Sequence, residues 1–387
     1  MASWNLDPDV VHLNHGAFGA CPVEVLDHQA ELRAQLEANP VKFVLRTYQP
    51  LLERSRDALA GFVGADRDGL VFVPNATYGV NSVLRSLEPQ LGAGDEIVIT
   101  THTYEACQSA VRVIAERTGA AVVVADIPFP IAGPHQAIDG VLASVSERTK
   151  LVLLDHVTSP TALVMPIAEI AAALDPSIMV LVDGAHAPGM IDVDIVALGV
   201  DFYTANCHKW ICSPKGAAFL WVGAAHRDAM ISASVSLGHD GGWPRSTSPF
   251  HARFDWTGTD DPTARLSVAC AIEVMGNHHP DGWDGVRSTN HALAIAGRQI
   301  LLDAFDIMAP APDSMIGSIA SVPLPPGEPN PSSERALSTA LQEDFSIEVP
   351  SFAWPEAPDH FLRISAQQYN SIDEYHTLAR GLMSLRD

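Results

Sequence analysis

Seven short apolar runs recur through the first 222 residues and predict β-strands. Each run contains four to six residues and is rich in Val, Ile, Leu or aromatic residues. The runs are LVFV from residue 70, EIVIT from 96, AVVVA from 121, LVLLD from 151, MVLVD from 179, DFYTA from 201 and AAFLWV from 217.

The segments between most of these runs have helical spacing of apolar residues, as in ERSRDALAGFVG, QSAVRVIAERTG and AEIAAALD. Alternation of strands and helices predicts an α/β fold with a mainly parallel sheet covered on both faces. No GxGxxG motif follows the first predicted strand. After residue 275 the pattern changes to helices with a few short strands such as FLRIS, which indicates a smaller α+β domain.

Composition narrows the class of protein. A chain of 387 residues fits one large and one smaller domain, and its net charge of −23 argues against binding nucleic acid or an anionic membrane through bulk electrostatics. The start, MASWNLDPDVV, lacks a basic region and a long apolar run, and no apolar stretch is long enough to span a bilayer. We therefore expect a cytoplasmic protein.

The cysteines and histidines do not indicate a metal site. Five cysteines are an odd number without paired metal-ligand spacing, so free thiols are expected. Among the 16 histidines the close pair is His278 and His279, and adjacent positions on a helix do not share a face. We predict no metal, and activity that resists chelators would dismiss a metal-dependent enzyme.

Two residues carry the most informative chemistry. Asp183 closes the apolar run MVLVD, which places its carboxylate at the carboxyl end of a buried strand, where ligands of open α/β sheets bind. Lys209 follows in DFYTANCHKW. An amine can form a Schiff base with an aldehyde, and an anionic aspartate can keep a pyridine nitrogen protonated, so this pair suits pyridoxal 5′-phosphate (PLP).

At these residues the chain resembles the class V aminotransferase family of fold type I PLP enzymes, and especially the branch with isopenicillin N epimerase and carbon–sulfur lyases. Eight blocks follow the family's order: LNHGAFGACP at 13–22, NPVKFVLRTYQPLL at 39–52, PNATYGVN at 74–81, DHVTSPTALVMPI at 155–167, DGAHAPG at 183–189, NCHKW at 206–210, WTGTDDPTA at 256–264 and LRISAQQYNS at 362–371.

The resemblance implies the domain organisation and the assembly. We expect residues 21–275 to form the large PLP-binding domain with its seven-stranded, mainly parallel sheet, and residues 1–20 with 276–387 to form the small domain. WTGTDDP resembles the family loop that reaches the neighbouring subunit, so a homodimer is implied in which Thr259 contacts the partner's cofactor phosphate.

A phosphate site is expected at PNATYGVN, where a turn of small residues leads into a helix whose free backbone amides can face an anion. Ala76 and Thr77 would supply amides and a hydroxyl, although Asn75 or Thr77 can also act as an ordinary helix cap. By resemblance, Asn206 and His208 reach the same phosphate.

The resemblance also implies contacts to the cofactor ring. A ring from THTYEA should stack on the cofactor, and we favour Tyr104 over His102 for this role. Alternatively, Tyr104 is simply a tyrosine on the rim of a loop. Ser159 and His186 correspond to positions that contact the phenolate oxygen. His186 alternatively orients Asp183.

Substrate contacts follow from charge and from the resemblance. Arg363 lies in the otherwise apolar strand FLRIS and calls for an anionic partner, for which the family supplies the substrate's α-carboxylate. The segment with Asn14, His15 and Gly16 would approach the substrate. Arg46 and Tyr48 would face the partner's substrate pocket, unless RTYQPLL simply packs an interface.

The family reaction expected first is isopenicillin N epimerase-like epimerisation or racemisation of an L-α-amino acid, through an external aldimine and loss of the α-proton. Lys209 is the base, and Tyr104 reprotonates the opposite face. The alternative is a β-eliminating carbon–sulfur lyase or cysteine desulfhydrase, and an aminotransferase ranks lower. A persulfide-forming desulfurase is disfavoured because no cysteine follows Cys270.

A different class of protein, a catalytically inactive PLP-fold binding protein, also has to be considered. Loss of the lysine would have favoured it. The presence of Lys209, Asp183, His208 and Arg363 argues instead for an active enzyme.

Overall fold

The structure is a computed structural model that describes residues 4–243, 245–325, 334–355 and 360–385. Its strands are β1 (Val11–His12), β2 (Leu70–Val73), β3 (Glu96–Thr100), β4 (Ala121–Ala125), β5 (Thr149–Asp155), β6 (Met179–Asp183), β7 (Phe202–Asn206), β8 (Ala218–Val222), β9 (Ile319–Pro323), β10 (Ile347–Glu348), β11 (Ser351–Ala353) and β12 (His360–Ser365).

The α-helices are α1 (His15–Phe18), α2 (Val23–Ala38), α3 (Pro40–Lys42), α4 (Tyr48–Phe62), α5 (Ala76–Leu87), α6 (Glu105–Thr118), α7 (Pro134–Ser144), α8 (Ile167–Ala173), α9 (Ile195–Leu198), α10 (Pro249–Asp255), α11 (Thr263–Leu266), α12 (Val268–Gly276), α13 (Gly282–Phe305), α14 (Glu334–Phe345) and α15 (Ile372–Ser384). No helix within the described ranges is both long and apolar enough to cross a membrane.

The seven predicted strands are confirmed and form one sheet in the order β2-β8-β7-β6-β5-β3-β4. The strands β4, β3, β5, β6 and β7 pair in parallel, whereas β8 runs antiparallel to both β7 and β2. The mainly parallel sheet therefore has the expected architecture, with one reversed strand inside it.

Both faces of this sheet are covered by helices, as the near-continuous apolar runs predict. Successive side chains of β5 point in opposite directions, so Val152 and Leu154 join the core on one face while Leu151 and Leu153 join the core on the other. The edge strand β4 is more exposed than the central strands.

The carboxyl ends of the five parallel strands lie along one edge of the sheet. Asp155 ends β5 and Asp183 ends β6, and these two aspartates are directly paired in the strand register. The loops after β3 and β7 leave from the same edge on either side of them. This edge therefore collects polar groups from segments that are far apart in the chain.

A second, antiparallel sheet in the order β11-β12-β9 packs with α13 and α15 in the carboxyl-terminal part. The amino-terminal segment packs against this part of the chain: β1 and β10 form a separate parallel two-stranded sheet, and the Ser365 N–H donates to the Leu13 carbonyl at 2.9 Å. The division into domains at residues 20 and 275 stays a prediction.

Candidate active site

A cavity of about 310 Å³ lies at the carboxyl edge of the large sheet, and we call it the inner cavity. Segments from the amino terminus, the large sheet and β12 meet there. Eleven of the predicted site residues line it: Gly16, Ala76, Thr77, Tyr104, Ser159, Asp183, His186, Asn206, His208, Lys209 and Arg363.

Lys209 projects into this cavity from the loop after β7. Its Nζ lies 2.9 Å from Nε2 of the buried His186. Burial, assisted by the nearby charge of Arg363 and opposed by Asp183, lowers the pKa of Lys209 to about 7. A large fraction of the amine is therefore uncharged at neutral pH, which is the nucleophilic form.

The backbone of Lys209 is fixed by the amino-terminal segment. Nε2 of His15 donates to the Lys209 carbonyl at 3.0 Å, and the Tyr369 hydroxyl donates to Nδ1 at 3.0 Å. A Cβ at Gly19, whose φ is 71°, would lie 2.0 Å from the His208 carbonyl oxygen, so the two segments can touch here only with glycine.

His15 therefore lies elsewhere than the sequence led us to expect. It is fully buried behind the lysine and does not line the inner cavity, whereas its neighbours Gly16, Ala17 and Phe18 do. Burial lowers its pKa to about 3, so the ring is neutral. In this structure His15 contacts the backbone of Lys209, and its predicted contact with substrate stays a prediction.

Asp183 is buried and held by two donors. Its Oδ1 accepts from the Ala185 N–H at 2.9 Å, and its Oδ2 accepts from the Cys107 thiol at 3.2 Å. Burial raises the pKa of Asp183, while these donors and Lys209 oppose that shift. Sequence reasoning missed Cys107, which only the packing of α6 against the strand ends brings to the aspartate.

Asp155 is a second carboxyl group of the cavity that sequence reasoning missed. Its Oδ1 accepts from the Tyr104 N–H at 3.3 Å, and its buried Oδ2 has no hydrogen-bond partner within the described chain. Burial and the neighbouring Asp183 raise the pKa of Asp155 well above its usual range. The run LVLLD, which ends in aspartate as MVLVD does, was the available signal.

The start of α5, where an anion site is predicted, lines the inner cavity. Asn75 caps the helix by accepting from the Tyr78 N–H at 2.8 Å, and the Ala76 N–H donates to Oδ1 of Asn206 at 2.9 Å. The Ala76 amide is thus already paired. Thr77, with its amide and hydroxyl, and the Asn206 side-chain NH₂ are the donors that remain for an anion.

His208 lines the same end of the cavity. Its Nδ1 donates to the Ala217 carbonyl at 3.1 Å, and burial lowers its pKa to about 4. The neutral ring thus has only an acceptor facing outward at Nε2. A bound anion would favour the protonated ring, which donates from both nitrogens.

Tyr104, and not His102, lines the cavity. Tyr104 is 44% exposed at the start of α6, and burial is the main cause that raises the pKa of its phenol. His102 is fully buried: Nε2 donates to the Ile127 carbonyl at 3.0 Å, and Nδ1 accepts from the Thr161 hydroxyl at 2.6 Å.

Arg363 enters the cavity from β12 as a buried charge. Its Nη1 donates to the carbonyl of Ser159 at 2.7 Å and to the Ser159 hydroxyl at 3.1 Å, and its Nε has no partner in the described structure. It makes no ion pair with a described carboxylate, and burial lowers its pKa to about 10. Such a group has capacity for a ligand carboxylate.

The other predicted residues lie outside the inner cavity of this chain. Oδ1 of Asn14 is buried and unpaired among the described atoms, while Arg46 and Thr259 are exposed. Contacts of Arg46 and Thr259 with a second subunit stay predictions. Tyr48 is buried within its own chain and donates to the Asp255 carbonyl at 2.8 Å, so its expected role toward a partner is wrong.

This set of groups fits PLP. An uncharged amine can bind the aldehyde, a buried carboxylate matches a ring nitrogen, and a helix start with spare donors matches a phosphate. A family model described as Aminotransferase class-V matches residues 12–373. The chain belongs to the class V aminotransferase family. It is therefore a PLP enzyme, and its fold is that of fold type I PLP enzymes.

Relatives of this class V enzyme include two kinds of catalyst. The chain is 32% identical to the isopenicillin N epimerase of Amycolatopsis lactamdurans, over 98% of this chain and 96% of the relative. It is 30% identical to a probable chloroplastic L-cysteine desulfhydrase of Arabidopsis thaliana, over 98% and 83%.

Solved structures share the fold. The cystine C–S lyase C-DES in complex with cysteine persulfide superposes with a TM-score of 0.79 at 21% identity, over 98% of both chains. The cysteine desulfurase CsdA of Escherichia coli gives a TM-score of 0.78 at 19% identity, over 99% of this chain and 96% of that one.

Proposed function

We propose that the protein removes the α-proton of an L-α-amino acid and returns a proton to the opposite face, as an epimerase or racemase. The observation that carries this proposal is the strand order. Lys209 follows β7 and Tyr104 follows β3, and the strands between them are β6 and β5, which end in Asp183 and Asp155. The two proton-transfer groups thus flank the carboxyl pair from opposite sides.

PLP, when bound, withdraws electrons from the α-carbon and so acidifies its proton. The chain's own residues position the reaction. Thr77, Asn206 and His208 would hold the phosphate, and Asp183 would hold the ring nitrogen protonated. Arg363 would bind the α-carboxylate with paired donors.

Lys209 is suited to take the α-proton because its lowered pKa, about 7, lets it hold and release a proton near neutral pH. His186, at 2.9 Å, restricts the position of the amine. Tyr104 keeps its phenolic proton at neutral pH, as an ordinary phenol does, and burial raises its pKa further. We expect it to deliver that proton to the other face of the α-carbon.

β-Elimination from a carbon–sulfur substrate is the second candidate. It uses Lys209 and Arg363 in the same way but does not need an acid on the opposite face. The likeness to the probable L-cysteine desulfhydrase over nearly the whole chain supports it.

Proton NMR of the PLP-loaded protein in deuterated buffer separates the two candidates. For an epimerase, the α-proton signal of an L-amino acid disappears and the D-isomer accumulates. Pyruvate and ammonia in place of the D-isomer would overturn epimerisation in favour of the lyase. We expect Tyr104→Phe to lower D-isomer formation by about a hundredfold while α-proton exchange on the lysine face persists.

A further inference from the structure

A larger cavity of about 670 Å³ adjoins the inner cavity, and we call it the outer cavity. The two share Tyr104, Ser159 and Arg363 as their common wall. An amino acid whose α-carboxylate lies on Arg363 is therefore within reach of the outer cavity.

One wall of the outer cavity is the polar face of α6. Glu105, Gln108 and Arg112 line it, and their spacing of three and four residues places them on one helix face. Arg112 is eight residues beyond Tyr104 (112 − 104), which corresponds to about 12 Å along the helix. The Cα of Arg112 therefore lies about two helical turns beyond Tyr104, which belongs to the wall shared by the two cavities.

The opposite wall is aromatic and comes from the carboxyl-terminal sheet. Phe352 lies in β11 and Trp354 directly follows that strand, and both line the cavity. Trp354 is held by His102 and Phe129 at ring centroid distances of 4.6 Å and 5.6 Å. The Arg363 guanidinium lies 5.9 Å from the centroid of Phe352, which joins this wall to the α-carboxylate site.

Arg112 has donors to spare. Its guanidinium bonds only to Gln108 among the described residues, from Nε to the backbone carbonyl at 3.3 Å and from Nη2 to Oε1 at 3.4 Å. These are long bonds within one helix. Its side chain extends back toward the start of α6, as helical side chains do, and thus toward the cavity entrance.

We propose that the outer cavity is the subsite for the substrate side chain, and that the substrate is an L-α-amino acid with a long side chain that has an apolar stem and a terminal carboxylate. The stem would pack on Phe352 and Trp354, and the carboxylate would meet Arg112. This inference rests on the proposed function, because it needs Arg363 to bind the α-carboxylate. A short side chain would leave most of the outer cavity to water.

The test titrates the PLP-loaded protein with three L-amino acids that lack a leaving group on Cβ and follows the absorption band of the cofactor. The probes are 2-aminobutyrate, homophenylalanine and 4-carboxyhomophenylalanine. We expect homophenylalanine to bind about tenfold tighter than 2-aminobutyrate through its buried ring. The added carboxylate should tighten binding by about a further fivefold, as an exposed ion pair can.

Arg112→Ala should remove only the fivefold advantage of the carboxylate. The matched control is Arg117→Ala on the same helix, where Arg117 pairs with Glu88 at 3.0 Å, and it should leave all three affinities unchanged. Equal affinities for the three probes would overturn the subsite alone. Equal weakening of all three in Arg112→Ala would overturn the carboxylate contact. A band unchanged by every probe would overturn the proposed function as well.

Discussion

The inner and outer cavities share a wall but differ in how their polar groups are held. In the inner cavity Asp183, Asp155 and Arg363 are at most 6% exposed, and their hydrogen bonds come from the loops beside the strand ends and from Cys107 of α6. In the outer cavity Glu105 and Arg112 are exposed on a helix surface. Burial shifts the pKa values of the three inner-cavity groups.

This difference suggests that the inner cavity determines the reaction rate and the outer cavity determines the choice of substrate. Chemistry requires groups held in one geometry with perturbed pKa values, which buried strand ends provide. Substrate choice requires contacts that can vary without disturbing that geometry, which an exposed helix face and a terminal strand provide. Changes to the inner cavity should therefore affect rate strongly, and changes to the outer cavity should affect affinity modestly.

Lys209→Ala should give the largest effect. We expect turnover to fall by at least about a thousandfold, because both the covalent attachment and the base are lost. Mass spectrometry after borohydride reduction should find cofactor attached to the natural protein and none on the variant. The control Lys215→Ala removes an exposed lysine six residues on (215 − 209) and should retain attachment. Natural turnover in Lys209→Ala would refute the assignment.

Asp183→Asn tests the difference between the two paired aspartates. We expect its rate to fall at least about a hundredfold, since a neutral amide cannot keep the ring nitrogen protonated. Asp155→Asn should cost less than about tenfold, because burial and Asp183 raise the pKa of Asp155 and so favour its neutral form, which an amide resembles. Steady-state kinetics gives the rates of both variants, and circular dichroism checks that both are folded. A loss below about tenfold in Asp183→Asn, roughly 1.4 kcal/mol, would contradict its role.

Arg363→Lys should weaken substrate binding at least about tenfold, because lysine keeps the charge but loses the paired donors that match a carboxylate. KM should rise while the affinity for PLP stays the same. Arg117→Lys, at the surface ion pair with Glu88, is the control and should change neither quantity. Equal KM values in the two variants would argue against carboxylate binding by Arg363.

The pH dependence of cofactor attachment tests the environment of Lys209. A pKa lowered to about 7 means that the uncharged amine becomes more abundant as pH rises through 7. The rate constant for PLP attachment to the apoprotein should therefore rise about tenfold between about pH 6 and about pH 8, and then level off. A rate that still climbs tenfold per pH unit near pH 9 would show an ordinary lysine. Stopped-flow absorbance gives these rates.

Features of the structure that depend on local sequence patterns were predicted well. The seven strands are short apolar runs whose burial on both faces leaves little choice of structure. Asp183 stands out as a polar residue at the end of such a run, and Lys209 follows another run in the motif NCHKW. Asp155 carried the same signal and was missed. Cys107 and the role of His15 depend on contacts between distant segments, such as His15 with the Lys209 carbonyl, which no local pattern encodes.

The sequence alone determined the alternation of strands and helices, the family and the cofactor, because apolar periodicity and ordered motifs are properties of neighbouring residues. Tertiary structure decided the rest. In the folded chain Tyr104 lines the inner cavity and His102 does not, and the Ala76 amide is paired with Asn206. Arg363 is buried without a described carboxylate partner, and the outer cavity lies between α6 and β11. Burial and the distances between groups determine the pKa values and which hydrogen-bond donors stay free. These properties arise only when segments that are remote in the chain pack together.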